Sequence, residues 1–251
     1  MKKNRGIDPS DYRSRIYEKY AENFMDSPEE FDEKEARKWG KGYRYYLRQW
    51  LPTDRNASFV DLACGSGRLL HLFKQLGYRN ISGVDISPDQ IKLAAQVLPT
   101  VYQADIIEWL REKPASFDLI TGLDIIEHFH KTEVLEFLDV CYAALKPGGR
   151  VILQTVNCES PWGNMHRYGD FTHEVGFTAN SLTRLLNLTG FTNIEIYEQG
   201  PVPWGYSFLS TCRFLIWQVI RAGLKIWNLA ETGSSGSGIL TRIFLISGFK
   251  N

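Results

Sequence analysis

From residue 58 onward short apolar runs alternate with amphipathic stretches, and this alternation is the strongest constraint on the fold. Extended runs read at 58–63, 80–85, 100–104, 117–122 and 150–156. Helical patterns read between them at 67–76, 88–97, 106–112 and 131–145. Consecutive strands joined through helices lie parallel, so the pattern predicts an α/β fold whose sheet has helices on both faces. A helix at 179–189 and strands at 192–198 and 241–249 bring the predicted strands to seven.

Two segments break the alternation: an irregular insert at 157–177 and a second at 200–240, which includes a flexible loop at Ser234–Gly238. Ahead of it, residues 1–52 read as an N-terminal helical lid on a core of residues 53–251. Tyr12, Ile16, Tyr20 and Phe24 recur every four residues and predict a helix over 9–25. Ser27, Pro28 and Glu30 form a second helix start, with Ser27 as the N-cap. That helix is expected to run in pieces to Leu51, with breaks near Gly40 and Gly42 and an end at Pro52. Tyr12, Tyr17, Tyr20, Arg44 and Tyr45 are its polar-tipped residues, available for ligand contact or for packing on the sheet.

The chain of 251 residues suffices for one large α/β domain with additions. Its 29 basic and 29 acidic residues balance, so no global field holds it to nucleic acid. Cys64, Cys141, Cys158 and Cys212 show no CxxC spacing and read as reduced, buried thiols of a cytoplasmic protein. The charged N-terminus has no apolar leader.

Chemistry concentrates first at Asp61-Leu62-Ala63-Cys64-Gly65-Ser66-Gly67, a glycine turn between a predicted strand and a predicted helix. Such a turn lets backbone approach a nucleotide or nucleoside. A dinucleotide fingerprint would carry a third glycine, but Leu70 stands there and would crowd a close helix–strand contact. Asp61 leads into the turn, where a carboxylate can hold a cationic amino group, which NAD does not offer at that place. Asp85 closes the next strand and can accept from both hydroxyls of a ribose.

With four further motifs the chain resembles the class I S-adenosylmethionine-dependent methyltransferases. The matching pieces are Asp61–Gly67, Val84-Asp85-Ile86-Ser87, Gln103-Ala104-Asp105-Ile106, Phe117-Asp118-Leu119-Ile120, Ile126-Glu127-His128 and Leu145-Lys146-Pro147-Gly148-Gly149. They follow the family's order over residues 58–156, with Ala63 where glycine is usual. The resemblance implies a Rossmann-like seven-stranded sheet, mostly parallel with the last strand antiparallel, and S-adenosyl-L-methionine as cofactor. It implies that Asp61 and the backbone at Ala63 and Gly65 hold the methionine end and Asp85 the ribose, with Gly67 also in the cofactor site. Ile86 would pack on the adenine with Ile106 alongside, and Asp105 would accept from its amino group. Leu123 and Asp124 would line the sulfonium pocket, and His128 would lie near the cofactor. Asp105 can also serve as a helix N-cap, and Glu127-His128 as a helix-start pair.

The acceptor side falls to the insert from Asn157 to Glu174, rich in groups that bind or deprotonate polar ligands. His173, His166 and Asp170 are the candidate catalytic residues there. The same three could instead bind a divalent metal, but simple hydrogen bonding is preferred, and no metal ligand is assigned. Tyr168-Gly169-Asp170-Phe171-Thr172-His173, Phe177-Thr178 and Glu231-Thr232-Gly233 also resemble methyltransferases encoded with bacterial surface-polysaccharide machinery. That implies O-methylation of a sugar hydroxyl in a saccharide or glycolipid. The alternative acceptor is a small phenol, quinone precursor or amine. A nicotinamide oxidoreductase and a non-catalytic binding subunit are the remaining alternatives.

Residues 208–230 predict an amphipathic helix with Arg213, Gln218, Arg221, Lys225 and Asn228 on one side and apolar residues on the other. Its central charges argue against a transmembrane span. It reads first as a core helix covering the sheet edge. The other two readings are a homodimer surface and a peripheral contact with the inner membrane face.

Overall fold

Strand β1 (Ser58–Leu62) lies inside a sheet ordered β3-β2-β1-β4-β5-β7-β6. The computed structural model describes Ile16, residues 30–204 and residues 206–251. The helix expected over 9–25 and the Ser27 helix start lie outside the described residues. β2 (Asn80–Asp85), β3 (Val101–Gln103), β4 (Phe117–Leu123) and β5 (Leu145–Val156) run parallel with β1. β7 (Ile243–Phe249) inserts antiparallel between β5 and β6 (Thr192–Glu198). The seven-stranded sheet with its antiparallel last strand is thus as the sequence predicts. β5 starts five residues before the expected Arg150, because Leu145 already pairs with Phe117 across a register shift.

Helices cover both faces. On one, α1 (Glu33–Leu47), α2 (Arg68–Gln75) and α3 (Pro88–Val97) bury Leu47, Leu70, Phe73 and Ala94 against Phe59 and Ile152. On the other, α4 (Ile106–Arg111), α5 (Lys131–Ala144) and α7 (Ala179–Leu188) bury Leu110, Phe137 and Leu182 against Val60 and Leu153. The short α6 (Gly163–Arg167) lies within the first insert, and α8 (Phe208–Thr232) forms the second.

α1 departs from the expected helix. It is capped by Asp32, runs unbroken through Gly40 and Gly42, and ends at Leu47. Gly40 is buried against Leu72 of α2, where a Cβ would stand 3.5 Å from Leu72 Cδ1. Packing, rather than a helix break, explains that glycine. Arg44 is exposed, and Tyr45 lies under the Arg48 guanidinium.

α8 is not a core helix. Ser210 is its only fully buried residue, and most of its apolar side chains face outward. Arg221 and Ser210 turn toward the body, pairing with Glu198 and the Val202 carbonyl oxygen, which reverses the expected orientation. The Ser234–Gly238 loop is pinned by Glu159, whose carboxylate accepts from Ser237 N and Ser237 Oγ at 2.9 and 2.6 Å. Cys64 and Cys141 are buried as expected, but Cys158 and Cys212 are only half-buried.

Candidate active site

The strand order reverses direction at β1, between β2 and β4, which places the ligand crevice beyond the carboxyl ends of these strands. A cavity of about 390 Å³ lies there. It brings together Asp61, Ala63, Gly65, Asp85, Ile86, Asp105, Ile106, Leu123, Asp124 and His128. Gly67 is the exception among the expected residues. It is the N-cap of α2, at φ +87°, and a Cβ there would lie 3.2 Å from Ala94 Cα of α3. Its role is to bring two helices together, not to line the cavity.

The glycine turn is built by left-handed backbone at Ala63 (φ 52°), Gly65 (φ 51°) and Gly67. Its shape is set from β2: Asp85 Oδ2 accepts from Gly65 N at 2.8 Å and Asp85 Oδ1 accepts from Ser87 N at 2.8 Å. Leu70 fits because β2 carries Gly83 opposite it, where a Cβ would stand 2.7 Å from Leu70 Cδ1. The small residue that permits close helix–strand packing is therefore in the strand, not in the helix.

Asp61 is 3% exposed and accepts from Thr121 Oγ1 at 2.7 Å. Burial, with the nearby Asp85 charge, pushes its carboxyl up to about 7. Burial also raises Asp85. Among the described residues neither has a cationic partner within 4.0 Å. Two buried carboxylates facing one cavity without a cation suit a ligand that brings positive charge and hydroxyl donors. Asp105 caps α4 by accepting from Glu108 N at 3.0 Å and also lines the cavity. Ile86 is 45% exposed into it, an apolar surface suited to a flat ring.

Several cavity residues carried no sequence signal. Trp39 of α1 reaches the cavity, stacked on Tyr43 with ring centroids 3.8 Å apart. Tyr43 in turn donates to Gln154 Oε1 at 2.8 Å, and Gln154 Nε2 donates to Asp124 Oδ2 at 2.7 Å. Ile125 and Phe129 of the post-β4 turn also line it. Only the packing of α1 and the post-β4 turn onto the crevice reveals them.

The acceptor-side insert converges on His128. This residue closes a 3₁₀ turn (Ile126–His128) after β4. Its Nδ1 stands 2.9 Å from Thr172 Oγ1, and Thr172 Oγ1 donates to Asp170 Oδ1 at 2.6 Å. Asp170, though partly buried, is held below the usual carboxylate range by the Thr172 hydroxyl and amide. An ionised Asp170 accepts the Thr172 O–H, so the hydroxyl oxygen is left to accept from His128 Nδ1–H. Nε2 then carries the lone pair. Burial, with the His173 charge adding, lowers His128 to about 4, which keeps the ring neutral at pH 7. His173 lies edge-on to it at 4.7 Å, with its Nδ1 2.9 Å from the His166 carbonyl oxygen. His166 itself is exposed on α6 and orients His173 through its backbone. One ligand atom each from His128, Asp170 and His173 lie within 4.8 Å of one another, so His128 replaces the His166 of the expected cluster.

Other motif residues have local duties. Asp118 Oδ2 accepts from Ser58 N and Lys146 Nζ at 2.8 and 2.7 Å, clamping the far ends of β1, β4 and β5. Phe177 is buried, Thr178 caps α7, and Gly233 ends α8 in a left-handed conformation.

A sheet of this order, with β7 antiparallel beside β5 and this cavity at its switch point, fits the class of S-adenosylmethionine-dependent methyltransferases. The chain belongs to the methyltransferase-domain family, whose sequence profile matches residues 29–196. A ubiquinone biosynthesis O-methyltransferase of Xylella fastidiosa (strain 9a5c) is 31% identical over 118 residues, covering 45% of this chain and 46% of that protein. The namesake from Idiomarina loihiensis is 34% identical over 104 residues, covering 39% and 42%. The chain thus spans about half the length of the curated relatives it matches. In fold it is similar to an Archaeoglobus fulgidus SAM-dependent methyltransferase, with TM-score 0.63, 22% identity, and 87% and 97% of the two chains covered. It is also similar to Haemonchus contortus phosphoethanolamine N-methyltransferase 2 in complex with phosphomonomethylethanolamine and S-adenosylhomocysteine. There the TM-score is 0.58, the identity 18%, and the coverage 84% and 52%.

Proposed function

We propose that this chain binds S-adenosylmethionine in the β1–β4 cavity and methylates a phenolic hydroxyl on a quinone-precursor type of acceptor. The observation that carries the cofactor half is the pair of buried carboxylates, Asp61 and Asp85, in one cavity. Asp61 suits the cationic amino group and Asp85 the ribose hydroxyls, with Asp105 and Ile86 beside the adenine. When bound, the cofactor supplies an electrophilic methyl group on a sulfonium. The chain's own residues must align the acceptor and remove its proton.

His128 is the group suited to that proton. Its Nε2 is the basic atom, and Thr172 with Asp170 holds the tautomer and the ring angle. A ring whose acid form is lost above about pH 4 is a mild base. Such a base matches a phenol, whose ordinary pKa is about 10, far better than a much less acidic sugar hydroxyl. The relatives named for ubiquinone biosynthesis favour the same acceptor. The order of the two acceptors expected from the sequence is therefore reversed, with the saccharide second.

Titration calorimetry with S-adenosylhomocysteine, NAD as comparison, tests the cofactor. Binding of the former alone supports the proposal, and binding of NAD in its place sinks it. Turnover of a dihydroxybenzoate-type phenol against a free monosaccharide tests the acceptor. Methyl transfer to the monosaccharide alone would overturn the phenol reading.

A further inference from the structure

α8 is attached in the reverse sense to an ordinary surface helix, which turns its apolar stripe inward. Here the polar side chains face the body. Arg221 Nε lies 3.1 Å from Glu198 Oε2 on β6, and Arg221 Nη2 donates to Gly238 O at 3.1 Å. Asn228 Nδ2 donates to Ser234 O at 2.9 Å, and Ser210 Oγ to Val202 O at 2.7 Å. The outward face carries Leu215, Ile216, Val219, Ile220, Ile226 and Trp227, each about half or more exposed. Between residues 215 and 230 no charged side chain is exposed.

A second observation places this face beside the acceptor side. The insert that brings Asp170, Thr172 and His173 to His128 also exposes Trp162 (59%), Met165 (61%) and Tyr168 (76%). It is joined to the end of α8 through Glu159, which holds Ser237, and through Arg242, whose guanidinium lies 5.9 Å from the Trp162 ring centre. At the other end of α8, Trp204 and Phe208 are 70% and 87% exposed. Monomeric proteins rarely leave so many large apolar side chains of one helix in water.

We propose that α8 lies in the plane of a lipid surface, with its apolar face among the upper acyl chains, and that the acceptor reaches His128 from that surface. Its 25 residues extend roughly 37 Å. Among the described residues no helix is long and apolar enough to cross a membrane, so the contact lies along the surface. A protein partner on a face of this size would bring about one hydrogen bond per 100–200 Å². The outward side chains from 215 to 230 offer one polar atom, Trp227 Nε1, and it already donates to Glu231 at 3.1 Å. Acyl chains ask for none. Tryptophans at both ends and the exposed Arg213 and Arg242 suit the headgroup layer. The acceptor clause rests on the proposed methyltransferase function; the lipid contact does not.

Sedimentation with phosphatidylcholine vesicles containing phosphatidylglycerol tests this, read for the wild-type chain and for Val219→Glu with Ile226→Glu. Both positions are exposed, so the fold does not depend on them. The wild type should sediment with vesicles. The double variant should partition at least tenfold less, with unchanged molecular mass and unchanged binding of S-adenosylhomocysteine. A wild type that stays in the supernatant, or a variant that partitions equally, overturns the proposal. So does a wild-type dimer that the variant splits, since a second copy would then cover the face. Because vesicle binding and S-adenosylhomocysteine binding are read separately, loss of either proposal leaves the other standing.

Discussion

His128 Nδ1, on the turn after β4, and Thr172 Oγ1, in the insert after β5, stand 2.9 Å apart, and Asp170 Oδ1 lies 2.6 Å beyond on the same hydroxyl. This chain gives a neutral imidazole one tautomer. Replacing His128 by Ala should lower kcat by about 10²–10⁴, the usual worth of a positioned base, with little change in S-adenosylhomocysteine affinity. Thr172→Val should lower kcat less, by roughly tenfold, because it leaves the base but frees its orientation. A His128 variant with wild-type kcat removes the residue from the mechanism.

The same pair sets the pH dependence. Burial disfavours the imidazolium, so His128 stays in its base form down to about pH 4. The acidic limb of kcat, read with S-adenosylmethionine saturating so that Asp61 near 7 does not enter, should therefore lie near 4, not near the ordinary histidine value of about 6.5. A kcat profile under saturation that falls between pH 7 and 6 would show that another group limits the reaction.

Asp85 shapes the turn through Gly65 and Ser87, and in the proposed reading it also offers its remaining lone pairs to the ribose. Asp85→Ala should weaken S-adenosylhomocysteine binding by a hundredfold or more, since each hydrogen bond to a charged group is worth about 1.5–3 kcal/mol. Calorimetry on a variant whose circular dichroism matches wild type checks this, and unchanged affinity would move the ribose elsewhere.

Gly67→Ala should destabilise the fold by about 2 kcal/mol. Left-handed backbone costs an L residue roughly 1–2 kcal/mol, and the new methyl meets Ala94 at 3.2 Å. Urea unfolding measures it. Ala63, already left-handed, should tolerate glycine with no loss.

Glu127 is buried with Thr155 as its hydroxyl partner. Burial, with the Asp124 charge adding, raises its carboxyl to about 8. The folded state therefore favours its acid form. That contribution to stability is complete below the unfolded value, 4.5, and is lost as pH rises through about 8. Glu127→Gln should flatten this loss, so its melting temperature relative to wild type should be higher at pH 8.5 than at pH 5. A difference independent of pH would contradict the raised value.

Much of the fold was legible because period and turn chemistry are local. Ser87 and Pro88 mark the start of α3, Asn80–Asp85 reads as β2, and the acidic residues that close successive strands emerge at one end of a parallel sheet. Gly67 misled because a glycine in a nucleotide-binding motif can serve helix packing, and the distance to Ala94 is not written in the motif. Gly40 misled for the same reason, through Leu72.

The sequence by itself determined the α/β alternation, the seven strands, and the order of motifs that puts Asp61, Asp85 and Asp105 along one crevice. Only the tertiary structure decided that Trp39 enters that crevice and that Thr172 and Asp170 orient His128 from 42 to 44 residues away in the chain. It alone decided that α8 turns Arg221 inward, where Glu198 and the carbonyl oxygen of Gly238 pair with it. Local pattern specifies which face of an element is apolar. Which face is covered depends on partners distant in sequence, and that is settled only when the chain packs.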